Sequence, residues 1–170
     1  VLLDIVPPEF TDDDKKKGLT PESRGFRNKF GNNGLTIALK SKPASFYIPK
    51  NAKLITIGNL EDDLALLKDV DWIIEVVVER LDIKQKVFEK IESVLTPGTI
   101  ITSNTSGIPA KDMCEGRTED FKKYFAITHF FNPPRYMKLL EIVSGPDTLP
   151  EVVEMLAEVC EKTIGKGIVY

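Results

Sequence analysis

The sequence predicts an α/β domain, doubly wound around a mostly parallel sheet. Three observations point there. Short apolar, strand-like runs alternate with amphipathic helical runs from about residue 53 to the end of the 170-residue chain. The run at 71–76, Asp-Trp-Ile-Ile-Glu-Val, is apolar at almost every position, which predicts a strand buried on both faces. Small polar or charged clusters follow directly after the strand-like runs, and parallel sheets bind ligands beyond the carboxyl ends of their strands.

The elements follow in order. Val1-Leu2-Leu3-Asp4-Ile5-Val6 reads as a first strand, closed by Pro7-Pro8. Residues 9–50 are a polar, helical excursion: Thr11 precedes three aspartates and a lysine run, Thr20-Pro21-Glu22 places a cap before a first-turn proline, and Asn32-Asn33-Gly34 is a break before a short helix at 35–40. The Asp12–Asp14 and Lys15–Lys17 runs read as a solvated face. Residues 54–57 form a strand, 60–68 a helix and 71–76 a strand. The next helix, 82–95, carries Ile83, Val87, Phe88, Ile91, Val94 and Leu95 on one stripe and ends at Pro97-Gly98. A strand at 99–102, a short helix at 109–114 and strands at 125–128 and 139–143 follow. Thr148-x-x-Glu151 reads as a capping box opening a helix with Val152, Val153, Leu156, Val159 and Cys160 on one side. Gly165-Lys166-Gly167 stops that helix before a last strand. The chain opens and closes inside apolar strand-like runs, so we expect a fragment of a longer protein, cut on both sides.

Composition excludes several functions. A net charge of −3 offers no electrostatic case for binding nucleic acid. The longest apolar runs are far too short to insert in a membrane, and no signal peptide opens the chain. Cys114, Cys160 and the single histidine, His129, cannot assemble a Cys/His zinc site, and two cysteines are no disulfide framework. The expected compartment is reducing and cytoplasmic.

Candidate site residues sit at the strand ends. Asp4 could accept hydrogen bonds from ribose hydroxyls, or simply cap a turn. No G-x-G-x-x-G occurs in the chain. Glu79 and Lys84 stand at a strand-to-helix turn, where they could reach a ligand's ribose or form a surface ion pair. Ser103-Asn104-Thr105-Ser106-Gly107 offers hydroxyl and amide groups to a ligand, or caps the next helix. His129 is followed by Phe130-Phe131-Asn132-Pro133-Pro134. Glu141 lies amid Leu139, Leu140, Ile142 and Val143, where an unpartnered carboxylate would be costly to bury. Pairing Glu141 with His129 across adjacent strands would resolve that cost and hold the imidazole in one tautomer. A structural histidine is the alternative.

The runs Ile74-Glu-Val-Val-Val-Glu79-Arg80 with Lys84, Ser103-Asn-Thr-Ser106, and His129-Phe-Phe-Asn-Pro133 with Met137-Lys-Leu-Leu-Glu141 resemble the NAD-binding domain of the L-3-hydroxyacyl-CoA dehydrogenase family. The likeness runs from about residue 54 to 170, with Asp4 supporting it less strongly. The resemblance implies a Rossmann-type fold over residues 1–170 and NAD-dependent oxidation of L-3-hydroxyacyl-CoA to 3-ketoacyl-CoA in fatty-acid β-oxidation. It implies that His129 is the general base, Glu141 its support, Ser106 a donor to the substrate oxygen, and Asn132 an aid in positioning either. Glu79 and Lys84 would contact the nicotinamide half of NAD, and Asp4 the adenosine ribose. The glycine loop would lie before Val1, and a helical domain that covers the acyl-CoA and forms a homo-oligomer would lie after Tyr170. The isolated fragment would then be inactive. Pro134-Arg135-Tyr136 resembles bacterial long-chain members that carry an enoyl-CoA hydratase module. A dehydrogenase of another hydroxy substrate, or a non-catalytic structural relative such as a lens protein, is the alternative.

Overall fold

The computed structural model describes residues 1–170, which divide into two compact units, Val1–Leu66 and Leu67–Tyr170.

In the first unit, β1 (Leu2–Asp4) pairs in parallel with β2 (Ile57–Asn59), Leu2 opposite Ile57 and Asp4 opposite Asn59. Between them lie α1 (Asp12–Lys16), α2 (Arg24–Arg27), α3 (Lys29–Lys40) and a 3-10 helix, Pro49–Leu54. Thr11 caps α1 by a reciprocal capping box with Asp14. Asp14 is not part of a solvated face, as the charge run implied. Its carboxylate is buried against Lys29 Nζ at 2.5 Å. That ion pair and the Thr11 hydroxyl hold the Asp14 carboxyl at about 2, well below its ordinary range.

Several sequence expectations shift here, each for a local reason. Ser23, not Thr20, caps α2: its hydroxyl accepts from Phe26 N, while residues 20–23 form a turn. Asn32-Asn33-Gly34 does not break α3 but lies inside it. Gly31 packs so closely on β2 that a Cβ there would stand 2.7 Å from Ile57 Cγ2. Tertiary packing of this helix therefore outweighs the poor helix propensity of its Gly and Asn residues. The strand expected at 54–57 begins at Ile57, because Pro49 starts helical turns that end with Ile55 N donating to Ala52 O. The helix expected at 60–68 is a 3-10 helix at Leu64–Asp69. Asn59 Oδ1 accepts from the Glu61 and Asp62 amides and folds the preceding residues into a turn.

The second unit is a five-stranded sheet in spatial order β3 (Trp72–Glu75), β4 (Ile100–Ser103), β5 (Phe125–Phe130), β6 (Leu139–Ser144), β7 (Gly167–Val169). Every pairing is parallel except β5 with β6. Helices α4 (Leu81–Glu92), α5 (Ala110–Met113), α6 (Glu119–Lys123) and α7 (Pro150–Lys162) cover it. Consecutive β5 residues show why both faces are covered, since strand side chains alternate. Phe125 meets Phe88 of α4 and Phe121 of α6, ring centroids 5.4 and 5.5 Å away. Ala126 joins Ile100, Leu140, Ile142 and the α7 residues Val152, Leu156, Ala157 and Cys160 in a buried cluster.

Three expectations change in this unit. The 71–76 run is not buried on both faces: Ile74 is exposed, because β3 is the outermost strand of its sheet. Helix α4 ends at Glu92, capped by Ser93, earlier than Leu95. Thr148 does not form a capping box. Its hydroxyl donates to Phe125 O and accepts from Gly145 N, and α7 starts with Pro150 after Leu149. No helix is long and apolar enough to cross a membrane.

Candidate active site

The carboxyl ends of the parallel strands β3, β4 and β5 open onto one cleft of about 340 Å³, lined among others by Val76, Val77, Glu79, Ser106, His129 and Asn132. Each wall is built by the loop that leaves one strand.

His129 and Glu141 stand directly opposite each other in the antiparallel β5/β6 ladder. A directly opposed pair shares one face of the sheet. His129 Nδ1 and Glu141 Oε2 are 2.8 Å apart. Glu141 is not buried as the apolar run suggested: its side chain keeps 43% of its exposure, because it points to the face of the sheet opposite its neighbours Leu140 and Ile142, which are buried under α7. The Phe131 ring lies 4.5 Å from the imidazole, centroid to centroid. With Nδ1 engaged by Glu141, Nε2 is the nitrogen left to exchange a proton at the cleft.

The loop after β4 is fastened at both ends. Asn104 Oδ1 accepts from Phe130 N at 2.8 Å, which ties it to the end of β5. Thr105 is buried, and its hydroxyl donates to Glu79 Oε1. The Ser106 amide donates to the same oxygen at 3.2 Å. Glu79 is thus a half-exposed carboxylate with one oxygen held by the β4 loop and the other 3.3 Å from Lys84 Nζ. Partial burial alone would raise its pKa, but the Thr105 hydroxyl, the Ser106 amide and the Lys84 ammonium together hold it below the ordinary carboxylate range.

Lys84 lies at the start of α4, at the strand-to-helix turn as expected, but it is buried and its ion pair is not a surface one. It is 1% exposed, and its ammonium bonds both Glu75 oxygens at 3.0 Å besides approaching Glu79. An ammonium has three N–H donors, and here its partners are the two Glu75 oxygens and Glu79 at the cleft, which Lys84 also helps to line. Sequence reasoning missed its partner Glu75, which also accepts from Val77 N and the Ser103 hydroxyl at 2.5 and 2.6 Å. The signal was present: a glutamate inside an apolar strand, the same clue that drew attention to Glu141. Lys166 was missed as well. It is buried and donates to Pro134 O and to Met137 O, pinning the loop that carries Asn132. Asp4 lies in the first unit at the end of β1, where its Oδ1 accepts from Ile5 N at 2.7 Å.

A twofold-covered, mostly parallel sheet with its polar cleft beyond the strand ends defines the class: a nucleotide-binding α/β domain. Residues 31–170 match the model of the 3-hydroxyacyl-CoA dehydrogenase, NAD binding domain, and the chain belongs to that family. It is 47% identical over 169 residues to a "Probable 3-hydroxyacyl-CoA dehydrogenase" of Bacillus subtilis (strain 168), a match covering 99% of this chain and 21% of that protein. Another protein of that name, from Deinococcus radiodurans, is 46% identical over 169 residues, covering 99% of this chain and 45% of the relative. The chain therefore spans between about a fifth and under half of these relatives. Among solved structures, 3-hydroxybutyryl-CoA dehydrogenase from Escherichia coli K12 superimposes with a TM-score of 0.67 at 31% identity, over 83% of this chain and 30% of that one.

Proposed function

We propose that the intact protein oxidises L-3-hydroxyacyl-CoA to 3-ketoacyl-CoA with NAD, and that this chain supplies the nucleotide-binding domain and the proton-transfer pair. The observation that carries this reading is the His129–Glu141 contact of 2.8 Å at the edge of the cleft. Glu141 holds Nδ1, so Nε2 takes the proton of the substrate's 3-hydroxyl. The Glu141 carboxylate then stabilises the imidazolium that forms. Ser106 donates to the substrate oxygen as it becomes a carbonyl, and Asn132 positions the hydroxyl against His129.

The chemistry of the donor set suits the nicotinamide end of a dinucleotide. Val76 and Val77 supply apolar walls, and ionised Glu79 supplies an acceptor for ribose hydroxyls. Asp4 would accept from the adenosine ribose. NAD, when bound, accepts the hydride that leaves the substrate C3; the chain's own residues bind, orient and hold the proton.

The test is turnover of the intact protein with 3-hydroxyacyl-CoAs of several chain lengths, followed by absorbance of the reduced cofactor. Turnover with these thioesters and NAD is expected, and its absence at every chain length overturns the reading.

A further inference from the structure

Lys84 and Glu75 form an ion pair buried at 1% and 3% exposure, nine positions apart on different elements, and the proton-transfer pair does not use it. Isolating two charges from water is costly, so a buried pair is by itself weak evidence of a stabilising device. What distinguishes this one is that it is not closed. Glu75 receives four donors: Val77 N, the Ser103 hydroxyl, and Lys84 at each oxygen. Lys84 also reaches Glu79, which stands at the cleft and is bonded from its far side by Thr105 and Ser106. One cation therefore serves two carboxylates, and the cluster carries one net negative charge, whose solvent-facing member is Glu79.

Resting on the reading above, we propose that Glu75 and Lys84 are positioning residues that fix the Glu79 carboxylate at the cleft wall, and that this charge makes the cleft bind the oxidised, cationic nicotinamide in preference to the reduced, neutral one. Without Glu75, the three Lys84 donors fall to Glu79 and cancel its charge. Without Lys84, Glu79 loses the donor at its second oxygen and is held by the β4 loop alone.

The experiment is calorimetric titration of the intact protein with NAD+ and with NADH separately, for the wild type and for Glu79→Gln, Glu75→Gln and Lys84→Met. Far-UV circular dichroism and urea unfolding establish that each variant is folded. Glu79→Gln and Glu75→Gln are expected to weaken NAD+ about tenfold while NADH changes by less than about twofold, the size of one screened charge at a half-exposed site. Lys84→Met keeps the Glu79 charge but removes the partner of its second oxygen, so NAD+ is expected to weaken more than NADH, and an unchanged NAD+ affinity overturns the positioning role. Serine at position 103 adds a milder probe that keeps every charge: Ser103→Ala should leave the NAD+/NADH ratio within about twofold. Equal losses for both cofactor forms in Glu79→Gln, or an unchanged ratio in Glu75→Gln, overturn the proposal and leave the dehydrogenase reading intact. A wild type that binds neither form overturns the reading itself.

Discussion

If Glu141 acts only through His129, the two substitutions cannot add. His129→Gln removes the proton acceptor and leaves a side chain of similar reach, so kcat should fall by about 10²–10⁴, the range for losing a general base, or about 2.7–5.5 kcal/mol in the barrier. Glu141→Gln keeps a hydrogen-bonding group 2.8 Å from Nδ1 but removes its charge. A bond to a charged group is worth about 1.5–3 kcal/mol and a neutral one about 0.5–1.5, so the difference is about 1–1.5 kcal/mol, or about tenfold in kcat. The low end, about 1 kcal/mol or about fivefold, applies, because the Glu141 side chain is 43% exposed and water screens its charge. Independent effects would multiply, so the double variant would lie about fivefold below His129→Gln alone. We expect instead that the double variant matches His129→Gln within about twofold, since a carboxylate has nothing to support once the imidazole is gone. Steady-state kcat and KM for the wild type, both single variants and the double variant, measured with one 3-hydroxyacyl-CoA, decide the matter. A further loss of about fivefold in the double variant would show that Glu141 touches substrate or cofactor directly, and a change confined to KM in Glu141→Gln would refute its role in the proton transfer.

Three other outcomes follow from the same structure. Asp4 at the end of β1 should favour free ribose hydroxyls over a 2′-phosphate, so kcat/KM with NAD should exceed that with NADP; comparable values would show that Asp4 does not read the ribose. Phe88 is fully buried, edge-on against the rings of Phe121 and Phe125, so Phe88→Ala should lower the unfolding free energy by about 3–5 kcal/mol, seen as a lower urea midpoint at constant slope. The Asp14 carboxyl is held at about 2 against an ordinary 3.8, so its contribution to stability is complete above about pH 4 and disappears as pH falls toward 2. Urea midpoints measured across that window should flatten in Asp14→Asn, and an unchanged acid dependence would mean that the Lys29 pair does not stabilise the fold.

The alternation of strand and helix, and the polar residues at the strand ends, were legible because they are local. Periods of two and of 3.6 residues are written in consecutive positions, and a strand's last residue is the last of its apolar run. His129 and Glu141 drew attention for the same reason, since each breaks an apolar strand pattern by its residue type. Helix α3 was misread because the pressure that keeps it helical comes from Ile57 against Gly31, 26 residues away in sequence, and not from its own Asn-Asn-Gly. The helix expected at 60–68 starts only at Leu64, as 3-10 turns, because Asn59 holds residues 60–63 in a turn.

The amino-acid sequence by itself determined the class of fold, the order of its elements and the set of residue types available at the strand ends, because these depend on patterns within a few neighbouring positions. Tertiary structure alone decided which of those residues meet. The β5/β6 register sets His129 opposite Glu141; a one-residue slip would turn one of them to the other face. The parallel pairing of β3 with β4 sets Ser103 beside Glu75, and the return of α4 along the sheet brings Lys84 to both carboxylates. Thr148 had every local feature of a cap, yet its hydroxyl bonds Phe125 O, 23 residues away. A hydrogen bond between residues that far apart depends on how sheets pair and helices pack, and that is a property of the whole domain's energy, not of any window of its sequence.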